Sequence, residues 1–496
     1  MTPSETPAPN LQRLPSYIPG LDVVLGGGFF RSGVYIVHGL PGCGKTILAN
    51  QLCFGTVAAG GRAVYVTLLA ESHARMLQHL RPMSFFDESA IPDRLSYISA
   101  FADLEASGLK GLMSLLRREM QQRKASVLIL DGLVAAAETA ESNSELKKFI
   151  HEIQTNAIFN DCTVLLLTSG SPNRVSAEHT MVDGLLEIDD RLYDLRAERS
   201  LQVLKFRGGK TLRGKHSFQI TDDGLKLFPR IEALFNQPSE AATKSASLSS
   251  GIAGFDRLLG DAGLPANSAT VVVGSTGTGK TSICLHFLSK SSAAEPGLYF
   301  GFFESPDRVR ASAQAFGLDF AALENQGFLH IVWHSQSEHL LDELAYRLLE
   351  TIDAKGIKRL VIDGLAGFFE AAAYSERLGR FFACLTNELR RRKITVLMTL
   401  ETRDAISSTV PMPYGVSGLV DNLIFLRFAE DHGDLKRLIS IIKLRNSHFD
   451  PGVHAFSIGA GGVVLNSRYT AGGDVIPSAA ATVRTQAPAA DPRTES

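Results

Sequence analysis

The chain has 496 residues, of which 45% are hydrophobic and 21% charged, and its formal net charge is −2. That composition suits a globular protein with large buried cores, and the charge balance gives no bulk field for nucleic acid or an anionic membrane. No stretch is apolar over the length a membrane span requires, and Met1–Asn10 is polar and proline-rich without a signal core. The five cysteines, Cys43, Cys53, Cys162, Cys284 and Cys384, are odd in number and lack zinc-ligand spacing. They read as buried thiols of a reducing compartment, so a cytoplasmic location without membrane contact is expected.

Residues 1–13 read as an N-terminal extension. Ile18-Pro-Gly-Leu-Asp22 then leads through three glycines ending at Gly28 to an apolar strand at 34–38. The segment Gly39-Leu-Pro-Gly42-Cys43-Gly44-Lys45-Thr46 follows, and a helical run begins at Ile47. Further strands are predicted at 63–67, 126–130 and 163–167, with a helix over 144–154. Val203-Leu-Lys205-Phe-Arg207 comes late, before Phe228-Pro229. The stretch 236–250 is small, polar and aperiodic, and residues 231–247 read as a linker.

The same text then returns. Ile252-Ala-Gly-Phe-Asp256 leads to a strand at 270–273 and to Gly274-Ser-Thr276-Gly277-Thr278-Gly279-Lys280-Thr281. Strands are predicted at 297–300, 359–362 and 395–398, with a helix over 340–351. Asp22 and Asp256, Lys45 and Lys280, Asp131 and Asp363, and Lys205 and Lys443 are 234, 235, 232 and 238 residues apart. So regular an offset means a duplicated domain, 14–230 and 248–470, followed by a disordered tail at 471–496. Continuous apolar strands alternating with helices predict an α/β fold in each copy, with a doubly wound, mostly parallel central sheet.

Both glycine-rich segments fit G-x-x-x-x-G-K-[ST] between a strand and a helix. The glycines let main-chain N–H groups turn inward around a phosphate, and the helix start adds its positive dipole end. Gly39, Gly42, Cys43, Gly44, Lys45 and Thr46 form one such cradle. Gly274, Thr276, Gly277, Thr278, Gly279, Lys280 and Thr281 form the other. Lys45 and Lys280 are the expected catalytic cations at the β- and γ-phosphates, and Thr46 and Thr281 the hydroxyls on Mg2+. Asp131 and Asp363 each close an apolar strand, where a carboxylate holds the hydrated metal. Glu71 and Glu304 follow the second strand of each copy and are the candidates to orient an attacking water. ATP and Mg2+ are therefore the expected ligands.

Smaller signals take plainer readings. Arg390-Arg-Arg-Lys393 ends a helical run, where cations complement the dipole. Cys43 is a small loop residue, Phe302 and Phe303 are packing residues, and His38 is a strand residue.

The glycine entry, two phosphate loops, strand-end Asp and late Lys-x-Arg together resemble the KaiC family, the two-domain branch of RecA-like ATPases. The resemblance runs from about residue 14 to 466. It implies two tandem RecA-like P-loop domains and an ATPase in a homo-oligomeric, normally hexameric, ring with a signalling or clock-like role. The tail after Ala471 does not resemble the clock protein's regulatory tail, so the resemblance leaves a regulatory protein partner open. It further implies that Lys205, Arg207, Lys443 and Arg445 reach a neighbouring subunit's nucleotide. Serine autokinase activity also follows from it, with Ser417 as the matching phosphosite. Gly418 stands where the family's adjacent threonine does, and Ala70 and Phe303 stand where it carries the first of two glutamates. A RecA-type DNA repair or recombination ATPase is the alternative, against which the near-neutral charge weighs. A non-catalytic, ATP-sensing oligomeric scaffold is another.

Overall fold

The computed structural model describes residues 12–68, 73–169, 177–193, 195–235, 246–260, 263–335, 339–402, 418, 420–445 and 447–470. Most of the expected N-terminal extension, most of the linker and the expected tail lie outside these residues. The chain divides into two compact units, Met1–Leu234 and Phe235–Ser496.

In unit 1 a nine-stranded sheet is built from β1 (Val34–Gly39), β2 (Ala63–Thr67), β3 (Leu95–Ser99), β4 (Val127–Asp131), β5 (Thr163–Thr168), β6 (Gly184–Tyr193), β7 (Arg196–Phe206), β8 (Lys215–Thr221) and β9 (Gly224–Phe228). Their spatial order is β9-β8-β7-β6-β1-β5-β4-β2-β3. The six strands from β6 to β3 run parallel, and β7, β8 and β9 continue the sheet antiparallel.

Alternation within the apolar strands supplies two cores, because successive side chains leave opposite faces. Tyr35, Val37, Tyr65, Ile129 and Leu165 face helix α1 (Lys45–Ala58) through Leu48, Leu52 and Cys53. Val34, Ile36, Val64, Leu128 and Val164 face helices α2 (Phe101–Arg123) and α3 (Asn143–Phe159) through Leu112, Leu116, Ile150 and Ile153. Helices on both faces make the sheet doubly wound. The Ser142 side chain caps α3 by accepting from the Glu145 N–H.

Unit 2 repeats the plan with β10 (Ala269–Gly274), β11 (Gly297–Gly301), β12 (Leu329–Trp333), β13 (Arg359–Asp363), β14 (Thr395–Glu401), β15 (Asn422–Asp431), β16 (Asp434–Leu444), β17 (His454–Gly459) and β18 (Gly462–Arg468). Read from the antiparallel edge, the order is β18-β17-β16-β15-β10-β14-β13-β11-β12, strand for strand that of unit 1. Helix α4 (Lys280–Leu288) matches α1. Helices α5 (Leu341–Lys355) and α6 (Leu378–Arg391) also belong to this unit. Even the register irregularity recurs, at Leu185/Leu186 and at Leu423/Ile424.

At the start of β13 the Arg359 guanidinium is buried. It donates to the Glu295 carboxylate at 2.6 and 2.8 Å, and to the carbonyls of Ser249 and Phe287 at 2.9 and 3.3 Å. This cation is therefore paired and hydrogen-bonded, as a buried charge must be.

Two candidate phosphate-binding clefts

The loops after β1 and β10 hold glycines in the left-handed backbone region: Gly42 at φ 81°, Gly44 at 110°, Gly277 at 79° and Gly279 at 103°. A Cβ added to Gly44 would stand 2.7 Å from Ile220 Cδ1, and one on Gly279 2.7 Å from Ile458 Cδ1. Each loop runs directly into a helix, α1 or α4, whose N-cap is the second of these glycines and carries no side-chain cap. The first-turn N–H groups thus point into the loop with the dipole behind them, a fit for phosphate. Lys45 Nζ donates to the carbonyls of Gly39 and Leu40 at 2.7 and 2.9 Å. Lys280 Nζ does the same to Gly274 and Ser275, both at 2.9 Å. Cys43 is buried inside the first loop, and burial pushes its thiol upward despite the neighbouring Lys45.

Strand pairing sets the expected metal-side carboxylates beside these loops. Asp363 Oδ2 accepts from Thr281 Oγ1 at 3.0 Å and Tyr299 OH at 2.7 Å, and Oδ1 accepts from Thr399 Oγ1 at 2.6 Å. In unit 1, Asp131 Oδ2 accepts from Tyr65 OH at 2.7 Å. A hydroxyl and a carboxylate are hard oxygen donors of the kind Mg2+ takes together with phosphate oxygens and water.

A cleft of about 360 Å³ in unit 1 is lined by Gly42, Gly44, Lys45, Thr46, Asp131 and Ser169, together with Thr67, His73 and Met76. A cleft of about 840 Å³ in unit 2 brings together Thr276, Gly277, Gly279, Lys280, Thr281, Glu304 and Asp363. Glu304 turns one buried carboxylate oxygen, Oε2, inward without a hydrogen-bond partner among the described residues. Burial, then the Asp363 charge, raises its pKa. Burial lowers the Lys280 ammonium, against the pull of Glu401 and Asp363. Glu71, like Ser417, lies outside the described residues.

Sequence reasoning missed several groups on the second cleft. Thr399 and Glu401 sit at the end of β14, and Glu401 accepts from Thr276 Oγ1 at 2.6 Å. Arg437, on β16, donates to the Gly277 carbonyl at 3.1 Å. Their strands pass beside the loop, which no local motif announces. Phe302 is buried, whereas Phe303 is half exposed and lines the cleft.

The late cations are not brought to these clefts. Lys205 donates to the carbonyls of His179 and Thr180, and Arg207 to those of Thr180 and Met181. Arg207 N–H bonds to Asp183, whose side chain accepts from Val34 at the start of β1. The pair thus lies level with the amino end of β1, about 17 Å along the strand from Gly39. Lys443, which donates to the Val420 carbonyl, and Arg445, beside Asp421, hold the matching place in unit 2. Arg390, Arg391 and Arg392 are paired with Asp421, Glu388 and Asp353.

Tandem Gly-Lys-Thr loops on doubly wound sheets, with a strand-end Asp opposite each, define a two-domain P-loop ATPase that binds ATP. A family model described as the KaiC ATPase matches residues 14–232 and again 248–469. The chain belongs to the KaiC family. It is similar to the circadian clock oscillator protein KaiC of Acaryochloris marina, 26% identical over 91% of this chain and 88% of that one. The Picosynechococcus sp. KaiC is 24% identical over 92% and 90%. The circadian clock protein KaiC3 of Synechocystis sp. is 25% identical over 92% of each chain. No described helix is long and apolar enough to cross a membrane.

Proposed function

We propose that this chain binds Mg·ATP at both clefts and hydrolyses it as a subunit of a homo-oligomeric ring, six-membered by family resemblance, in signalling or clock-like regulation. The observation that carries the ring is the placement of Lys205, Arg207, Lys443 and Arg445. They sit at the amino edge of the parallel strands, while each phosphate loop leaves the carboxyl edge. Side chains tethered there serve a loop presented by another copy, and a cation supplied in trans stabilises charge on a transferred phosphoryl group.

The chain's own residues divide the work. Main-chain N–H groups of each glycine loop and of the following helix turn grip the phosphates. Lys45 and Lys280 pivot from loop carbonyls to phosphate oxygens. Thr46 with Asp131, and Thr281 with Asp363, would hold Mg2+, which neutralises phosphate charge when bound. Glu304 orients the attacking water and accepts its hydrogen bond, and Glu71 is proposed for the same task in unit 1. Family resemblance adds autophosphorylation of Ser417, checked by phosphosite mass spectrometry after incubation with ATP. The pairing of Arg390–Arg392 with carboxylates weighs against a DNA-dependent ATPase, so added DNA should leave turnover flat.

The test is light scattering with and without Mg·ATP, combined with mixing of Lys280→Ala and Arg445→Ala chains. Mixed assemblies regain unit 2 turnover where one chain's intact loop meets the other's intact arginine. A chain that stays monomeric while hydrolysing ATP at an undiminished rate on dilution rejects the reading.

A further inference from the structure

The first residue of the second phosphate loop carries a polar group that the loop does not use. Ser275 is buried, and its Oγ has no hydrogen-bond partner among the described residues. Its carbonyl, by contrast, accepts from Thr278 Oγ1 at 2.7 Å and from Lys280 Nζ at 2.9 Å. Gly274, just before it, pairs with Leu426 on β15, and the Thr402 N–H reaches the Gly274 carbonyl at 3.1 Å, so sheet pairing runs to the end of β10. A Cβ on Gly274 would stand 2.8 Å from Thr278 Oγ1, inside the loop. The next side chain leaves by the opposite face, and Ser275 does not line the cleft.

Arg427 occupies the neighbouring place on that face. Val273 pairs with Phe425, and Ser275 and Arg427 each stand two residues further along. The guanidinium is half-buried, and its Nε is buried with no partner among the described residues. No described carboxylate acts on its charge; only the Tyr469 phenol does, against the burial that lowers its pKa. Val273, Phe425 and Leu438, which lies opposite Arg427 on β16, are buried and apolar. In such surroundings an unpaired cation is costly and its attraction for an anion is strong. The matching place in unit 1 follows Ile188, the partner of Gly39, and is Asp189, which Lys215 and Arg191 hold at 2.7 and 2.5 Å. There a carboxylate has its cations, whereas in unit 2 a cation lacks its anion.

We propose that Arg427 and Ser275 form a binding site for inorganic phosphate behind the second phosphate loop. A planar guanidinium presents N–H donors at the spacing of two phosphate oxygens, and the Ser275 hydroxyl donates to another. The site is separate from the nucleotide cleft, and only its consequence rests on the nucleotide binding proposed above. Phosphate held by Ser275 Oγ fixes the residue whose carbonyl parks Lys280 Nζ, which keeps the ammonium on the loop and weakens nucleotide binding in unit 2. By reciprocity, nucleotide there weakens phosphate.

The experiment uses the full chain. Lys45→Ala with Lys280→Ala removes the loop lysines as competing phosphate ligands, and this parent should bind inorganic phosphate in calorimetric titration. Adding Arg427→Met, which keeps an apolar stem, should weaken that binding about tenfold or more, and adding Ser275→Ala about threefold. Phosphate should raise the thermal midpoint of the parent and leave that of Arg427→Met unmoved. No binding by the parent, or equal affinity with and without Arg427, overturns the site. So does a phosphate-free midpoint lower in Arg427→Met than in the parent, which would mean that the guanidinium is already paired within the fold. The consequence is read in chains carrying Lys45→Ala alone, with a fluorescent ATP analogue bound at unit 2. The phosphate concentration that halves its binding should rise about threefold on Arg427→Met, and an unchanged value overturns the link to Lys280. A chain that binds no nucleotide defeats the ATPase reading and leaves the phosphate titration to stand or fall on its own result.

Discussion

The hydroxyl of Tyr299 donates to Oδ2 of Asp363 at 2.7 Å from a fully buried ring. Burial and the adjacent carboxylate drive the phenol far above its ordinary range, so the proton stays on tyrosine and the bond keeps one polarity. Tyr65 and Asp131 repeat the arrangement at the same distance. Tyr299→Phe removes a hydrogen bond to a charged acceptor, worth about 1.5–3 kcal/mol. Urea unfolding should show a loss of that order, and Tyr65→Phe a similar one. An unaltered midpoint in both would mean that the hydroxyls contribute nothing to the carboxylates.

Glu304 must be ionised to accept a hydrogen bond from water. Burial and Asp363 raise its pKa. The carboxylate is therefore lost at a higher pH than an ordinary glutamate's, near 4.3. Turnover should fall as pH drops through this raised value, with the acid limb displaced upward. Glu304→Gln should cost about 100-fold in kcat, abolish that limb and leave nucleotide affinity within a factor of ~2. Steady-state kinetics from pH 5 to 9 decide the matter.

Gly279 holds φ at 103° where a side chain would meet Ile458. Alanine in left-handed backbone costs about 1–2 kcal/mol, and the shifted loop would misaim its N–H groups. Gly279→Ala should weaken binding of the fluorescent ATP analogue at unit 2 about tenfold or more, since each ~1.4 kcal/mol is tenfold. Gly44→Ala, at φ 110°, should do the same at unit 1. Wild-type affinity in either variant would show that the loop tolerates a Cβ.

His334 is buried against Phe300, with ring centroids 4.5 Å apart, and its Nε2 has no partner among the described residues. Burial, then the charges of His339 and Arg347, push its pKa down to about 4. The unfolded value is near 6.5, so the fold favours the neutral ring. This contribution is complete above pH 6.5, is lost as pH falls below it, and levels off near 4. His334→Phe should flatten the pH dependence of stability between pH 7 and 5 by at most ~2 kcal/mol. Denaturant melts at the two pH values measure it, and parallel slopes in variant and wild type would refute the assignment.

The four inner parallel strands of each sheet and both loops were legible because buried apolar strands are continuous in the sequence and the glycine pattern is local. Helices came out short at the ends: the run expected at 144–154 extends from Asn143 to Phe159, and that at 340–351 from Leu341 to Lys355. Strand β6 and the antiparallel strands β7 to β9 were not foreseen. Residues such as Asp190, Arg191, Glu198 and Arg199 bring long charged side chains onto the hairpin and break its alternation. Edge strand β3 hides for a similar reason, since Tyr97, Ile98 and Ser99 are not fully buried. At the site, residues belonging to a motif were readable. Thr399 and Arg437 were not, because they reach the loop only through strand pairing with distant segments.

Arg359 ties three things at one point. It grips the Ser249 carbonyl and the Phe287 carbonyl near the far end of the helix that begins at Lys280. It also stands at the foot of the strand that ends in Asp363. One guanidinium therefore fastens the chain at Ser249 to the far end of that helix and to the foot of that strand. Within unit 2, Ser249 is thus a few bonds from the foot of the strand that carries Asp363.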